Sequence, residues 1–348
     1  MAWSKSPTTW TSMEVDKMNF NPANLSIVDG VRAGNQAAMD AAGAFLIGQL
    51  EKLDPMLHEP LYQFTYSRDL PIRSDATIAD EFTSFMNIGY GAVGGVNPAG
   101  KNWFSREGNV IGQTQVDYEK VMQPFTPWAI GASYDLFAVA AAAAINKPLD
   151  AQMVEAARLK HQMDADELAY VGDKDIGAYG LCNNPNITVE MAKPTTSGNT
   201  EWINKTPQEV LNDVNDLLTA TWKSSAYAFP PTKILMPPQS IAFLNKEIVT
   251  SAGTSSVLRF LKDNNLAKML LGKELEIYPV KWLDGAGVNG TNRMVAYTQE
   301  KDCVRLPMTP LARTNVQYDL LKIRWAYYGK MGGVEVVKSA TIHYMDGI

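Results

Sequence analysis

The stretch from Pro148 to Ile187 constrains the fold most, because it combines one long helix pattern with a glycine-rich turn and an extended segment. Its apolar residues recur every three or four positions, and its opposite charges fall at the i,i+3 and i,i+4 spacings that support a helix. The predicted apolar face of this helix consists of Leu149, Met153, Ala156, Ala157, Met163 and Leu168. We expect this helix to start after an N-cap at Asp150 and to reach position 171. The glycines that let the backbone leave it are Gly172, Gly177 and Gly180. The residues of the helix predict structural support, not chemistry.

Composition excludes several classes of protein. The chain has 348 residues and a net charge of −6, which argues against a nucleic-acid binder that uses a basic face. It has no apolar run of about 18 residues, so no membrane span is expected. The N-terminal residues lack the apolar core of a signal peptide. With two cysteines, a disulfide framework is not expected, and a reducing compartment is predicted.

The first part of the chain predicts elements that need partners. Residues 1–34 are polar with little periodicity and predict an arm held by a neighbouring subunit. Helices are predicted at Asn35–Leu53 and Ser133–Ile145, and a strand at Leu61–Arg73 that the segment Arg68–Arg73 interrupts. Alternation around many glycines predicts a long two-stranded hairpin over residues 79–122. Such a hairpin is marginal alone and needs a surface to lie on.

The second part predicts a mixed unit and closing strands. Thr206 and Glu209 form a capping box, with Pro207 at the first helical position. Further predicted elements are a strand at 232–236, helices at 239–246 and 256–271, and strands at 275–280 and 293–298. Alternating residues from Leu321 predict a strand, and the segment from Val334 to Tyr344 is expected to run back after a turn. Helices mixed with short strands predict an α+β fold.

Two glycine motifs in the hairpin resemble nucleotide-binding loops. One is the GxGxxG run from Gly89 to Gly94, and the other is Gly95-x4-Gly100-Lys101. Both chemistries need a helix N-terminus after the loop, to direct amide groups at phosphate. The sequence that follows, beginning at Trp103, does not start a helix, so a flexible loop tip is favoured.

No other motif points to catalysis or metal binding, and no cofactor is expected. The three histidines are far apart in sequence, and His161 is expected on the polar side of the long helix. Cys182 fits a small buried residue better than a nucleophile paired with histidine. The acidic clusters 164–167 and 172–175 fit solvated charges, with Ca²⁺ binding as a weaker alternative because the ligand spacing is wrong. The chain is therefore not expected to be an enzyme.

The order of the elements resembles the major capsid proteins of tailed bacteriophages (Caudoviricetes), whose HK-ninety-seven-like fold is shared with encapsulin shells. The long helix resembles that family's spine helix. Gly180-Leu181-Cys182-Asn183 is similar to its Gly-Leu-Leu-Asn turn, with Cys in place of the second Leu. The hairpin resembles the family's extended E-loop. The resemblance covers nearly the whole chain through short motifs in a shared order.

This resemblance implies a domain layout for the α+β fold, with a peripheral (P) domain and an axial (A) domain that meets the capsomer centre. The implied segments are an N-terminal arm and helix at 1–58, a P-domain strand at 59–78, the E-loop hairpin at 79–126, the P domain with its spine helix at 127–195, the A domain at 196–315, and P-domain closing strands at 316–348.

The resemblance also implies a structural role in the virion. Copies of the chain would form hexamers and pentamers of an icosahedral head around double-stranded DNA, after assembly in the host cytoplasm. A portal and separate scaffold or decoration proteins are the other expected partners, and the acidic chain would contact DNA weakly. At the hairpin tip, large side chains flanked by charge are the candidate inter-subunit contacts: Trp103, Phe104, Arg106 and Glu107.

Two other functions remain open from the sequence. An encapsulin-type compartment would use the same fold to enclose protein cargo, although the long N-terminal arm disfavours it. A nucleotide-binding enzyme would use the glycine-rich loop at 89–101. Covalent cross-links between Lys and Asn occur in some relatives, but nothing identifies the partners of Lys101 or Lys120, so none is assigned.

Overall fold

The computed structural model describes residues 62–92, 114–135, 137, 149–195, 198–246 and 256–348, and helices and sheets alternate along them. The first elements are α1 (Tyr66–Asp69), β1 (Ile72–Arg73), β2 (Phe82–Ala92), β3 (Thr114–Asp135), α2 (Leu149–Tyr170), β4 (Gly172–Asp173), β5 (Ala178–Tyr179) and β6 (Thr188–Met191). The predicted arm at 1–34 and the helix at Asn35–Leu53 lie outside the described residues.

The remaining elements build the mixed unit and the closing strands. They are α3 (Pro207–Ser224), β7 (Lys233–Met236), α4 (Pro238–Lys246), α5 (Val257–Asp263), α6 (Leu266–Leu271), β8 (Glu276–Pro279), β9 (Arg293–Tyr297), β10 (Val304–Pro307), β11 (Ala312–Arg313), β12 (Gln317–Asp319), β13 (Lys322–Gly332), β14 (Glu335–Val336) and β15 (Ile342–Asp346). None of the helices described here is long and apolar enough to cross a membrane.

Two five-stranded sheets organise the chain. One has the order β11-β13-β3-β2, with β12 also paired to β13, and it contains the hairpin. The other has the order β6-β15-β9-β7-β8. A three-stranded sheet, β1-β10-β14, and the small β4-β5 pair complete the pairing among the described strands. The mixture confirms the expected combination of helices and sheets.

Helix α3 and the strands around it form a core as the sequence predicts. Thr206 caps the helix, accepting a bond from the Glu209 backbone while the Glu209 carboxylate accepts from the Thr206 backbone, so the capping box is confirmed. The buried face of the helix packs into a cluster with β7, β9 and α5. Full burial of one such apolar side chain stabilises the fold by roughly 1.5–3 kcal/mol. The predicted helix at 256–271 is in fact two helices, because Asn265 caps a second one.

Two predictions about strands and helices are wrong. Leu61–Arg73 is not mainly a strand but contains helix α1, because the backbone N–H groups of Thr65 and Tyr66 donate to the buried Asp166 carboxylate. Ser133–Asp135 ends strand β3 instead of starting a helix, since Ser133 pairs with Arg324 of β13. Of the rest of that predicted helix, Phe137 is helical, and residues 136 and 138–145 lie outside the described residues.

The closing segment also differs from the prediction. Strand β13 does not pair with the segment that follows it; it pairs with β3 over eleven positions, from Lys322 opposite Asp135 to Gly332 opposite Phe125. β14 joins β10, and β15 enters the other five-stranded sheet between β6 and β9. The strands therefore take partners that are distant in sequence, and the turn at Gly332-Gly333 does not produce a hairpin of β13 with the segment after it.

The long helix is confirmed, but its boundary and its buried face differ from the prediction. It begins at Leu149, so Asp150 lies inside it and does not cap it. Ala157, His161, Ala165 and Ala169 are buried at a spacing of four, whereas Ala156 is exposed. Asp166 and Tyr170 of the same helix are buried as well. Small residues on this face allow the helix to lie close to the sheet, as the contacts of Ala157 with Trp325 and Tyr327 illustrate.

Candidate functional site

The predicted contact residues Trp103, Phe104, Arg106 and Glu107 lie outside the described residues, but the hairpin that carries them is described. β2 and β3 pair over eleven positions, from Phe82 opposite Pro124 to Ala92 opposite Thr114. The predicted two-stranded hairpin is therefore confirmed. Gly89 and Gly91 lie within β2 opposite Asp117 and Gln115, so the first half of the nucleotide-like motif is regular strand and not a phosphate-binding turn.

One face of the hairpin is apolar and exposed to solvent. Side chains directly opposite each other in an antiparallel pair share a face, and so do residues two positions along. Met86 is opposite Lys120 and Ile88 is opposite Tyr118, and Met86 and Tyr118 are 66% and 69% exposed. We call this surface the apolar hairpin face; its exposed apolar members are Phe82, Met86, Ile88, Val116, Tyr118 and Met122.

The opposite face of the hairpin is polar toward the tip. Asn87 is opposite Glu119, and Gly89 is opposite Asp117. Only near the base does this face enter the protein interior, where Thr83 and Phe85 are buried. The hairpin is thus amphipathic along most of its length, and among the described residues its apolar side has no covering element.

Polar contacts hold the base of the hairpin. The Arg73 guanidinium donates to the Ser84 carbonyl at 3.3 Å and to Glu335 at 3.0 Å. Glu335 is fully buried and also accepts from Arg305 at 2.5 Å, so one carboxylate joins two cations. The carboxylates of Asp75 and Glu335 raise the pKa of Arg73, while its partial burial opposes this. Because breaking a buried pair leaves an uncompensated charge, these contacts fix the direction in which the hairpin leaves the body.

The turn after the long helix α2 explains the Gly-Leu-x-Asn pattern. The N–H groups of Leu181 and Cys182 donate to the carbonyls of Ala169 and Tyr170, at 2.8 and 2.9 Å. The Asn183 side chain accepts from the Gly180 N–H at 3.0 Å and donates to the Val171 carbonyl. These bonds satisfy the last backbone groups of the helix and tie its end to the segment that follows.

A buried acidic network corrects the expectation that residues 164–167 are solvated. Asp166 is 1% exposed and accepts from the Thr65 and Tyr66 backbones and from the Trp282 indole at 2.8 Å. Nearby, the Tyr170 hydroxyl donates to Asp69, and burial together with the Asp69 charge raises the pKa of Tyr170. These bonds join α1, the long helix α2 and the segment between β8 and β9 that carries Trp282. Asp173 and Asp175 in the second acidic cluster are exposed, as expected.

His161 also differs from the prediction, because it is buried against the sheet and not on the polar side of the helix. Its ring meets Trp128 edge to face, with centroids 4.9 Å apart. The Nε2 atom has no hydrogen-bond partner, and burial lowers the pKa of the imidazole. The sequence did not predict this burial, because the neighbours of His161 on the buried face are alanines. The more apolar Met and Leu residues led to the prediction of a different buried face.

The cysteines of the described residues lack the surroundings of a reactive thiol, and no metal-binding group is found there. Cys182 is buried as predicted, and desolvation raises its thiol pKa, which opposes formation of a nucleophilic thiolate. Cys303 is likewise buried, with a raised pKa from the same cause. Within the described ranges, no three His, Cys, Asp or Glu side chains are grouped so that they could hold a metal ion.

Comparisons with known proteins agree with the fold. A family model described as major capsid protein matches residues 100–348. The capsid of Myoviridae phage XM1 is similar in structure, with a TM-score of 0.69 at 18% identity, covering 86% of this chain and 97% of that one. The chain matches none of the curated proteins.

Two further solved structures extend the likeness. The capsid of a native GTA particle matches with a TM-score of 0.57 at 11% identity, covering 85% of this chain and 95% of that one. The holo-SrpI encapsulin complex from Synechococcus elongatus PCC 7942 matches with a TM-score of 0.52 at 15% identity, covering 87% and 95%. The chain therefore belongs to the major capsid protein family and has the HK-ninety-seven-like fold.

Proposed function

We propose that this chain is the major subunit of an icosahedral phage head, in which copies of it form hexamers and pentamers around double-stranded DNA. The observation that carries the proposal is the apolar hairpin face. A subunit that remained alone would keep six large apolar side chains in water along one projecting element. Extended exposed apolar patches on a soluble protein indicate a contact surface.

The hairpin suits a shell because it projects from its own subunit. A contact between its face and a different surface of the next copy is heterologous, and heterologous contacts that close produce rings. Each exposed side chain that becomes fully buried would add roughly 1.5–3 kcal/mol to assembly. The hairpin thus increases the strength of assembly without enlarging the core of the subunit.

We also assign the domains of the chain by its resemblance to capsid proteins. The hairpin at 79–126 is the E-loop, residues 127–195 and 316–348 form the P domain with its spine helix, and residues 196–315 form the A domain near the capsomer centre. Support for the A domain comes from its own buried cluster around α3 and β7. Strand β3 continues through position 126, so the E-loop and the P domain share one strand.

The remaining partners follow from charge and from the need to build and fill a head. A net charge of −6 favours few contacts with phosphate, which would leave packaged DNA free to move. We include a portal and separate scaffold or decoration proteins as partners, and assembly in the host cytoplasm. The chain is assigned no catalytic role.

An encapsulin-type compartment is the second candidate function, and the likeness to the SrpI encapsulin favours it. The two functions share the subunit fold and differ in their contents. Particles purified from the native source and filled with double-stranded DNA support the phage head. Particles that hold a protein cargo and no DNA support the compartment.

Paired substitutions on the two faces of the hairpin test the role of the apolar face. Ile88→Ser with Tyr118→Ser changes one cross-strand pair on the apolar face, and Asn87→Ser with Glu119→Ser changes the neighbouring pair on the polar face. We expect the first variant to lose closed particles in electron microscopy and the second to retain them. Both should melt near the wild-type temperature as isolated subunits. Normal particles from the first variant would remove the main support for the proposal.

A further inference from the structure

Lys233 is a buried cation on β7 whose partners include a segment far away in the sequence. Its side chain is 1% exposed, and its Nζ atom donates to the Arg68 carbonyl at 2.8 Å. The same atom lies 3.4 Å from the Asp69 carboxylate, which is fully buried. Lysine is almost never fully buried unless it is paired, because removal of its charge from water is costly. Lys233 is therefore fixed at the end of helix α1.

Two further side chains hold the same point of the chain. The Gln299 amide, just after β9, donates to the Arg68 carbonyl at 2.8 Å. The Tyr297 hydroxyl, within β9, donates to the Asp69 carbonyl at 2.7 Å. Carbonyls at the end of a helix have no partners within the helix itself. The sheet β6-β15-β9-β7-β8 and the residues beside it thus supply the hydrogen bonds that end α1.

The segment Arg68–Arg73, which we call the strap, leads from this point to the hairpin. Its middle is bound to β10, since the Leu306 N–H donates to the Pro71 carbonyl at 2.9 Å. At its far end the Arg73 guanidinium donates to the Ser84 carbonyl at 3.3 Å, near the start of β2. The strap therefore connects the buried lysine with the base of the hairpin.

The strap is stiff as well as short. Pro71 has a fixed φ angle and favours an extended conformation of Leu70, whose φ and ψ are −119° and 129°. Leu70 is also 1% exposed and belongs to the main hydrophobic cluster, so the strap cannot rotate without removing this side chain from the core. A displacement of Arg68 and Asp69 must therefore reach Arg73.

We propose that Lys233 is a positioning residue for the hairpin. It fixes the end of α1, the strap carries that position to Arg73, and Arg73 fixes the base of β2. Another contact at this base, from the Lys330 Nζ atom to the Asp80 carbonyl at 2.7 Å, comes from β13 in the hairpin's own sheet. The role of Lys233 goes beyond the proposed function, because it belongs to the single subunit and does not require that copies assemble.

Hydrogen exchange of the unassembled full-length chain, measured by mass spectrometry, tests this role. Lys233→Met keeps an unbranched side chain and removes the Nζ atom. We expect amides at the hairpin base, in residues 82–87 and 119–124, to exchange about tenfold faster in this variant, because Arg73 no longer holds Ser84 firmly. Lys193→Met is the matched control. It removes a surface lysine that pairs with Asp216, and exchange should stay within about threefold of wild type.

Leu217→Ala separates positioning from a general loss of stability, because it truncates a fully buried side chain of α3. This variant should lower the urea midpoint. Its hairpin-base amides should nevertheless exchange within about threefold of the wild-type rate, since they exchange through local opening and not through global unfolding. Faster exchange in this variant, equal to that of Lys233→Met, would reduce the role of Lys233 to general stability and would refute the proposal.

Combined substitutions test the route through Arg73. Arg73→Met alone should accelerate exchange at the hairpin base about as much as Lys233→Met, and the double variant should exceed either by less than about threefold. Two results would overturn the proposal. One is exchange that Lys233→Met leaves at the wild-type rate, and the other is a full effect of Lys233→Met that persists in the Arg73→Met background. Both results can be obtained whether or not the chain forms particles, so they are distinct from a failure of the proposed function.

Discussion

Gly180 lies against the carbonyl of Tyr170 so closely that a Cβ atom on Gly180 would be 2.3 Å from the Tyr170 oxygen. The glycine at this position is therefore required by space and not by backbone angle, since its φ is not in the left-handed region. The close approach brings Leu181 and Cys182 within bonding distance of the last carbonyls of the spine helix. It is the physical reason for glycine at the start of the Gly-Leu-x-Asn turn.

We predict that Gly180→Ala destabilises the subunit by about 3 kcal/mol, because the contact is with backbone that cannot move aside. Gly177→Ala is the matched control. Gly177 has a φ of +69° but no atom within 4 Å of a built Cβ, so only the conformational cost of about 1 kcal/mol applies. Urea unfolding of the two variants measures the difference. Equal losses of stability would show that the close approach to Tyr170 is not a constraint.

His161 predicts a pH-dependent loss of stability. Burial lowers its pKa in the folded state below the ordinary value of 6.5, so the unfolded chain binds more protons between these two values. Stability contributed by neutral His161 is therefore present at pH 7 and is lost as the pH falls below 6.5. The loss is at most about 1.4 kcal/mol per pH unit.

His161→Phe keeps an aromatic ring against Trp128 and removes both the titration and the unpaired Nε2 atom. We expect this variant to become more stable relative to wild type as the pH is lowered from 7 to 5, as measured by the urea midpoint at each pH. His161→Gln, which does not titrate, should show the same pH trend from a lower starting stability. Parallel curves for wild type and both variants would mean that His161 does not titrate differently in the two states.

The sequence predicted the elements whose signals are local. The capping box at Thr206, the long helix and the paired strands of the hairpin each follow from spacing within a few residues, and the structure confirms them. Long-range partners decided the rest. Thr65 and Tyr66 adopt a helical turn because Asp166 accepts their N–H groups from a hundred residues away. Nothing local in the sequence marks that carboxylate as buried.

The sequence predicted the apolar hairpin face only in part. The alternation from Gln113 to Lys120 predicted a half-exposed strand, but not that its apolar side would remain uncovered in the subunit. That result needed the register, which places Tyr118 opposite Ile88.

The arm yields a prediction about assembly. Removal of residues 1–34 should leave a folded subunit and abolish closed particles, because a polar segment with little periodicity must gain its order from other chains. Circular dichroism should change little while particles disappear from electron micrographs. An arm of the same composition in scrambled order is the control and should also fail. Truncated chains that form normal, equally stable shells would show that the arm is dispensable.

The aromatic side chains at the hairpin tip yield a separate prediction. Trp103→Ser with Phe104→Ser should weaken assembly by roughly 2–4 kcal/mol per contact if these residues act as hot spots. The melting temperature of the isolated subunit should remain close to that of wild type. A large drop in that temperature would place the two side chains in the subunit core. Ser105→Ala, between Phe104 and Arg106 in the sequence, is the control.

Electron microscopy of the purified wild-type protein tests the central claim, that this chain is a self-assembling capsid subunit. The fold, the family and the exposed hairpin face together predict closed icosahedral shells of uniform diameter, built of hexamers and pentamers. Sedimentation velocity of the same sample should show large particles in place of a single 38.3 kDa species. A chain that stays monomeric at high concentration, under conditions where it is fully folded, would contradict the claim.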